Sequence, residues 1–142
     1  IVQGQLLGPS EDALISMVSI DSRNILRPES TLFVALKGAK FDGHTFVPSL
    51  LDLGVSCFLV KNDFPDAASM SHRASFILVD NTHAALHQLA AYQRSLFKNP
   101  LVGITGSNGK TIVKEWLGQV LGRKFPVAKS PKSYNSQVGV PL

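Results

Sequence analysis

The sequence is poor in the features that mark secreted or membrane-spanning proteins. It holds a single cysteine in 142 residues, and one thiol cannot build an internal disulfide framework. Cys57 stands in the apolar stretch Val55–Val60, where a buried structural thiol is expected rather than a nucleophile. No apolar run reaches the roughly 18 residues that a spanning helix needs. No basic segment followed by an apolar core opens the chain, so no secretory leader and no membrane partner are expected. A cytoplasmic location is the expectation. Nor does a methionine precede Ile1, as expected of a piece trimmed from a longer chain. Internal repeats and low-complexity tracts are missing too.

Acidic residues nearly disappear toward the C-terminus. From residue 98 onward Glu115 is the only one, against seven lysines and arginines, whereas residues 1–97 carry nine acids against seven basic residues. The net charge of +4 therefore resides at one end, which suits a polyanionic ligand. Nucleic acid is not expected there. The basic residues are spread singly, and Trp116, Phe125 and Tyr134 form no interleaved stacking strip.

What the chain does have is ample apolar material, 44% of its residues, enough for a globular core. One stretch organises the rest. Leu101–Thr105 is a short, β-branched apolar run of the kind that forms a buried parallel strand. Gly106 and Gly109 then let the backbone turn tightly and bring its N–H groups close to a ligand. From Lys110 the apolar positions Val113, Trp116, Leu117, Val120 and Leu121 fall on one helix face. Strand, glycine loop (Gly106, Ser107, Asn108, Gly109) and helix start together make an anion cradle. Lys110 adds a mobile positive charge, and the Thr111 hydroxyl is placed to ligate Mg²⁺. The general phosphate-loop pattern also asks for a glycine where Ile104 stands, so only its second half is met.

Upstream, Gly8–Asp12 reads as an entry turn, and Ile15–Ile20 and Thr31–Leu36 read as strands. Lys37–His44 is a polar, glycine-punctuated loop off the end of the second. Phe46, Leu50, Leu51 and Leu53 suggest a helix closed by Gly54. Cys57–Val60 and Phe76–Val79 are further strands, with an irregular connection over Asn62–Arg73. Asp80, Asn81 and Thr82 offer caps for a helix carrying Leu86, Leu89, Ala90, Leu96 and Phe97. Pro126–Ala128 is a last strand candidate. Strands alternating with helices predict an α/β layer fold. The break at Lys98-Asn99-Pro100 places a domain boundary there, with residues 1–98 as one domain and 99–142 as the incomplete start of a second. His83 and His87, four apart on a helix, could share a metal but lack a third ligand nearby. Asp42 and His44 share a loop and could suggest acid–base work.

Four segments in order carry a family resemblance. They are Ser19–Arg23, then Leu32–Gly38 with Phe41–His44, then Thr105–Thr111, and finally Asn135–Leu142. Together they resemble the N-terminal part of a Mur ligase, the ATP-dependent amino-acid-adding enzymes of peptidoglycan synthesis. The Thr105–Thr111 form resembles that family's own ATP loop, which accounts for Ile104. Ala35–Gly38, Phe41–His44 and Val113–Glu115 look most like the branch that adds D-alanyl-D-alanine. The tail Ser130–Ser136 is similar to versions fused to an alanine racemase.

The resemblance implies an N-terminal α/β domain that binds a UDP-N-acetylmuramoyl-peptide, followed by the truncated start of a P-loop ATPase domain. It implies ATP and Mg²⁺ as cofactors. The γ-phosphoryl group of ATP would activate a carboxylate of the carrier as an acyl phosphate, which the amine of D-alanyl-D-alanine then attacks. Such transfer needs positioning and charge neutralisation more than covalent help. Carried over residue by residue, Gly106–Ile112 contact the nucleotide, Lys110 offsets phosphate charge and Thr111 ligates the metal. Where the family has a second hydroxyl, this chain has Ile112. Ile20, Ser22, Arg23, Ala39, Lys40, Phe41 and Asn135 become the carrier contacts, and Asp42 and His44 organise the carrier loop. Where the family has a second asparagine after Asn135, this chain has Ser136. The remaining catalytic groups would lie beyond Leu142, so the chain alone is expected to be inactive, and a monomer is expected. Two other readings stay open: a related ligase adding a diamino acid to a shorter UDP-muramoyl peptide, and a non-catalytic nucleotide-binding module.

Overall fold

A computed structural model describes residues 1–9, 12–39, 41–130, 136 and 138–142. Its centre is a five-stranded sheet built from β1 (Gln5–Leu7), β2 (Met17–Ser19), β3 (Thr31–Val34), β4 (Cys57–Lys61) and β5 (Ser75–Val79), in the order β1-β5-β4-β3-β2. The four strands β2 to β5 run parallel, and β1 closes one edge antiparallel to β5 with Leu6 opposite Ile77. Every residue of β3 is buried, as are Cys57–Val60 of β4. Strands covered on both faces read as continuous apolar runs, and these do.

Period-two alternation sorts those side chains into two clusters. Phe33, Ala35, Phe58, Val60 and Phe76 face one side and meet Val47, Leu50 and Leu51 of helix α1 (Val47–Leu53) and Ala67 of the short helix α2 (Ala67–Met70). Leu32, Val34, Cys57, Leu59 and Val79 face the other, against Ala85 and Leu86 of helix α3 (Thr82–Leu96). The result is a three-layer α/β/α arrangement, each large buried side chain contributing roughly 1.5–3 kcal/mol. On the first face the aromatic rings form a row. Phe33 meets Phe58 edge-on at 6.4 Å, Phe58 stacks on Phe76 at 5.2 Å, and Phe64 lies 6.4 Å from Phe76.

The helices start and stop where their sequences dictate. Asn81 caps α3 by accepting a bond from the Ala84 N–H at 3.0 Å. Gly54 ends α1 with its N–H bonded to the Leu50 and Leu51 carbonyls. Helix α4 (Lys110–Gly122) begins at the predicted residue.

Three expectations are corrected. Leu101–Thr105 forms no strand, and Leu101 and Val102 are 65% and 61% exposed. A parallel strand exists only through its neighbours' hydrogen bonds, and among the described residues no partner strand stands beside it. Pro126–Ala128 likewise forms no strand. The 62–73 connection is not wholly irregular, since it contains α2. The entry turn keeps Gly8 and Pro9, but Ser10 and Glu11 fall outside the described residues, and β1 just ahead of it was not foreseen. The apolar face of α4 exists but is uncovered, with Trp116 and Val120 66% and 65% exposed. Val138, from the far end, packs against the second core cluster.

Candidate functional site

All four parallel strands deliver their C-terminal ends to one edge of the sheet, the edge where open α/β sheets take ligands. Two of the segments singled out in the sequence meet there, because β2 and β3 are hydrogen-bonded neighbours with Ser19 opposite Phe33. Beyond β2, Ser19 Oγ donates to the Asp21 carbonyl at 3.1 Å and folds the chain into a turn. Ile20 and Ser22 are half-buried in that turn, while Arg23 reaches solvent. Arg23 Nε and Nη2 each bond an Asp21 carboxylate oxygen at 2.8 Å. That hydrogen bond, with the charge of Asp21, raises the guanidinium above its ordinary value. An exposed pair of this kind adds little stability. Its effect is orientation: the fork is held at the strand end, with its charge partly answered by Asp21.

Beyond β3 the 37–42 loop is a tight hairpin. Lys37 and Asp42 form a bridge at its stem, the Gly38 N–H bonds the Phe41 carbonyl at 2.8 Å, and the Gly43 N–H bonds the Leu36 carbonyl at 2.8 Å. The tip presents Ala39 and Phe41 to solvent, with Phe41 76% exposed. Lys40, predicted to contact the carrier here, lies outside the described residues.

Asp42 and His44 are joined, as their shared loop suggested, at 2.6 Å from Oδ1 to Nδ1. Asp42 also accepts the His44 backbone N–H at 3.0 Å, opening the short helical turn Gly43–Phe46. Desolvation pushes the Asp42 carboxyl up, but the two His44 hydrogen bonds and the charges of His44 and Lys37 outweigh it, and the group sits below its ordinary range. Sequence reasoning missed the other side of the ring. The Lys61 N–H, at the end of β4, donates to His44 Nε2 at 3.0 Å.

The phosphate-loop candidate is a separate feature. Gly106 and Gly109 take φ of 147° and 78°, a region where side-chain-bearing residues are strained, so both glycines are required by the turn. Gly109 caps α4 without any side-chain hydrogen bond, and no acid stands in the first turn. Ser107, Asn108, Thr111 and Ile112 are exposed along the loop and helix start, Ile112 at 57%. Lys110 folds back so that its ammonium donates to the Gly106 carbonyl and, at 3.4 Å, to the Ser107 carbonyl. Glu115 is engaged by Lys129 and Lys114, whose hydrogen bonds hold its carboxyl below its ordinary range. This donor set fits polyphosphate: backbone N–H groups at a helix start, one ammonium and one hydroxyl. Asn135, predicted to contact the carrier, lies outside the described residues.

A mostly parallel α/β sheet with a glycine loop at a helix start defines an α/β class in which ligands are taken at the C-terminal edge of the strands. Residues 14–94 match the Mur ligase family, catalytic domain, and the chain belongs to that family. The matched span covers β2 to α3 and stops short of the glycine loop. Across its whole length the chain is 37% identical to UDP-N-acetylmuramoyl-tripeptide–D-alanyl-D-alanine ligase of Bacillus subtilis, of which it covers 30%. It is 32% identical to the Escherichia coli protein of the same name, covering 29% of it. Among solved structures, MurF from Acinetobacter baumannii superposes with a TM-score of 0.76 at 34% identity, over 89% of this chain and 26% of that one. MurF ligase from Thermotoga maritima in complex with ADP gives 0.69 at 31% identity, over 94% and 29%. The chain thus spans under a third of the relatives it matches. Among the described residues no helix is long and apolar enough to cross a membrane.

Proposed function

We propose that this chain is the N-terminal part of an ATP-dependent ligase that adds D-alanyl-D-alanine to a UDP-N-acetylmuramoyl-tripeptide in the cytoplasm. Residues 1–98 hold the UDP-linked carrier, and residues 99–142 begin the ATP-binding domain. The observation that carries the reading is the adjacency of the Ile20–Arg23 turn and the 37–42 loop on neighbouring parallel strands. Both resemble carrier-binding segments of the family, and both reach the ligand-taking edge of the sheet.

In this reading Ser22, Arg23 and the Ala39–Phe41 tip contact uridine and diphosphate, with Ile20 lining the turn. Arg23 shares its fork between Asp21 and the diphosphate. Asn135 joins the carrier contacts from the later segment. Gly106–Ile112 supply N–H groups to the ATP phosphates, and Lys110 leaves the Gly106 carbonyl to meet them. Thr111 would hold Mg²⁺, which supplies charge neutralisation at the phosphates when bound. Support for the dipeptide-adding branch is the shared name of the Bacillus subtilis and Escherichia coli relatives.

The test is calorimetric titration of UDP and of UDP-muramoyl-tripeptide into the 142-residue chain. Uridine-dependent binding is expected, and its absence for both ligands refutes the reading. Assay of the full-length protein with D-alanyl-D-alanine against single diamino acids separates the dipeptide-adding branch from its neighbour.

A further inference from the structure

The loop bearing Ala39 and Phe41 is anchored through a side chain that phosphate or uridine chemistry does not itself call for. We propose that His44 is a positioning residue for the UDP-linked carrier, pinning the stem of the 37–42 loop to the C-terminal end of β4 so that the tip faces the β2 turn. This deepens, and rests on, the reading of that edge as the carrier site.

The geometry fixes one arrangement of the ring. A carboxylate only accepts, so the Nδ1 atom 2.6 Å from Asp42 Oδ1 carries the hydrogen. A backbone N–H only donates, so the Nε2 atom 3.0 Å from the Lys61 nitrogen is bare. One tautomer satisfies both, and the loop stem and strand end become a single hydrogen-bonded unit. The ring side chain is only 12% exposed and lies 5.5 Å from Phe64, centroid to centroid. Phe64 is itself tied to Lys61, its N–H donating to the Lys61 carbonyl at 3.0 Å. His44 is therefore gripped from the loop, the strand end and the connection that follows. The loop tip has a weaker hold, the Gly38 to Phe41 bond that closes it.

The charged groups around the ring are Asp42 and Lys37 from the loop, 3.8 Å apart, and Lys61 and Asp63 beyond β4, paired at 2.6 Å.

The experiment measures binding of UDP-muramoyl-tripeptide to the full-length protein. His44→Ala is expected to weaken that binding about tenfold, leaving the KM for ATP unchanged. His44→Gln, whose amide oxygen reaches the Nε2 position, is expected to restore most of that loss. Binding by His44→Ala within about twofold of wild type overturns the proposal, since one hydrogen bond is worth more than that. So does a folded His44→Gln variant that binds about tenfold more weakly than wild type, a comparison that decides even where the alanine variant fails to fold. A wild type that binds no carrier overturns the site reading itself, and the role of His44 with it.

Discussion

Replacing Gly43 and Gly38 by alanine, one at a time, separates backbone fit from loop flexibility at the edge proposed for the carrier. The two glycines flank the same hairpin. A Cβ on Gly43 would lie 2.9 Å from the Leu36 nitrogen, 3.0 Å from the Leu36 oxygen and 3.1 Å from the Ala35 Cα. Comfortable contacts at carbon are about 3.5–4.0 Å, so three backbone atoms at the end of β3 would have to move. Those atoms directly follow β3, where Ala35 is fully inaccessible and its N–H bonds the Leu59 carbonyl at 2.9 Å. Overpacking of this kind costs about 1–3 kcal/mol. Among the described residues a Cβ on Gly38 meets only the Phe41 oxygen, at an ordinary 3.6 Å. Gly38→Ala should therefore be neutral, or stabilise by up to about 1 kcal/mol by restricting the unfolded chain. The assay is a thermal melt of the ligand-free chain followed by far-ultraviolet circular dichroism. At roughly 4 °C per kcal/mol, Gly43→Ala should lower the midpoint by about 4–12 °C and Gly38→Ala should leave it within about 4 °C. Equal effects of the two substitutions would refute the close-packing argument.

Three further outcomes follow from the same geometry. Lys110→Ala in the full-length protein should abolish ATP-dependent phosphate release while carrier affinity stays within about threefold, because well-separated sites act additively; wild-type turnover would remove Lys110 from the mechanism. Asp42, held below the ordinary carboxyl range, stabilises the fold fully above that range and loses the contribution as pH falls through its depressed value. The stability advantage of wild type over Asp42→Asn at neutral pH should therefore close below about pH 4, whereas a pH-independent gap in urea melts would contradict it. Trp116, the single tryptophan and 66% exposed, should be strongly quenched by acrylamide in this chain and shielded in the full-length protein. Equal quenching in both would argue against a completed domain covering α4.

The sheet was legible because its strands are apolar on both faces. Thr31–Val34 and Cys57–Val60 read as buried strands, and they are. The start of α4 was legible for a different reason: Gly106 and Gly109 sit where the backbone needs positive φ. Leu101–Thr105 shows the limit of that logic. Its composition favours a strand, but pairing is a property of neighbours, and none of the described residues supplies one. The edge strand β1 escaped notice because Gln5–Leu7 is three residues long and shows no alternation. Helix α2 is a single turn, too short for any periodicity to register. Ile20, Ser22, Arg23, Ala39 and Phe41 were readable only through family resemblance, and the sheet brings their two segments side by side. The tether from His44 to Lys61 was not readable at all. The two residues lie 17 positions apart, and the donor is a main-chain group that leaves no mark on the sequence.

The row of rings that begins at Phe33 does not stop at Phe64, because Phe64 touches His44. Interior and rim are thus mechanically continuous. Exchanging Phe76 or Phe64 for a branched aliphatic residue, as in routine thermal hardening, removes a ring from the row against which the imidazole rests. A substitution chosen for the core therefore also reaches the residue that anchors the 37–42 loop.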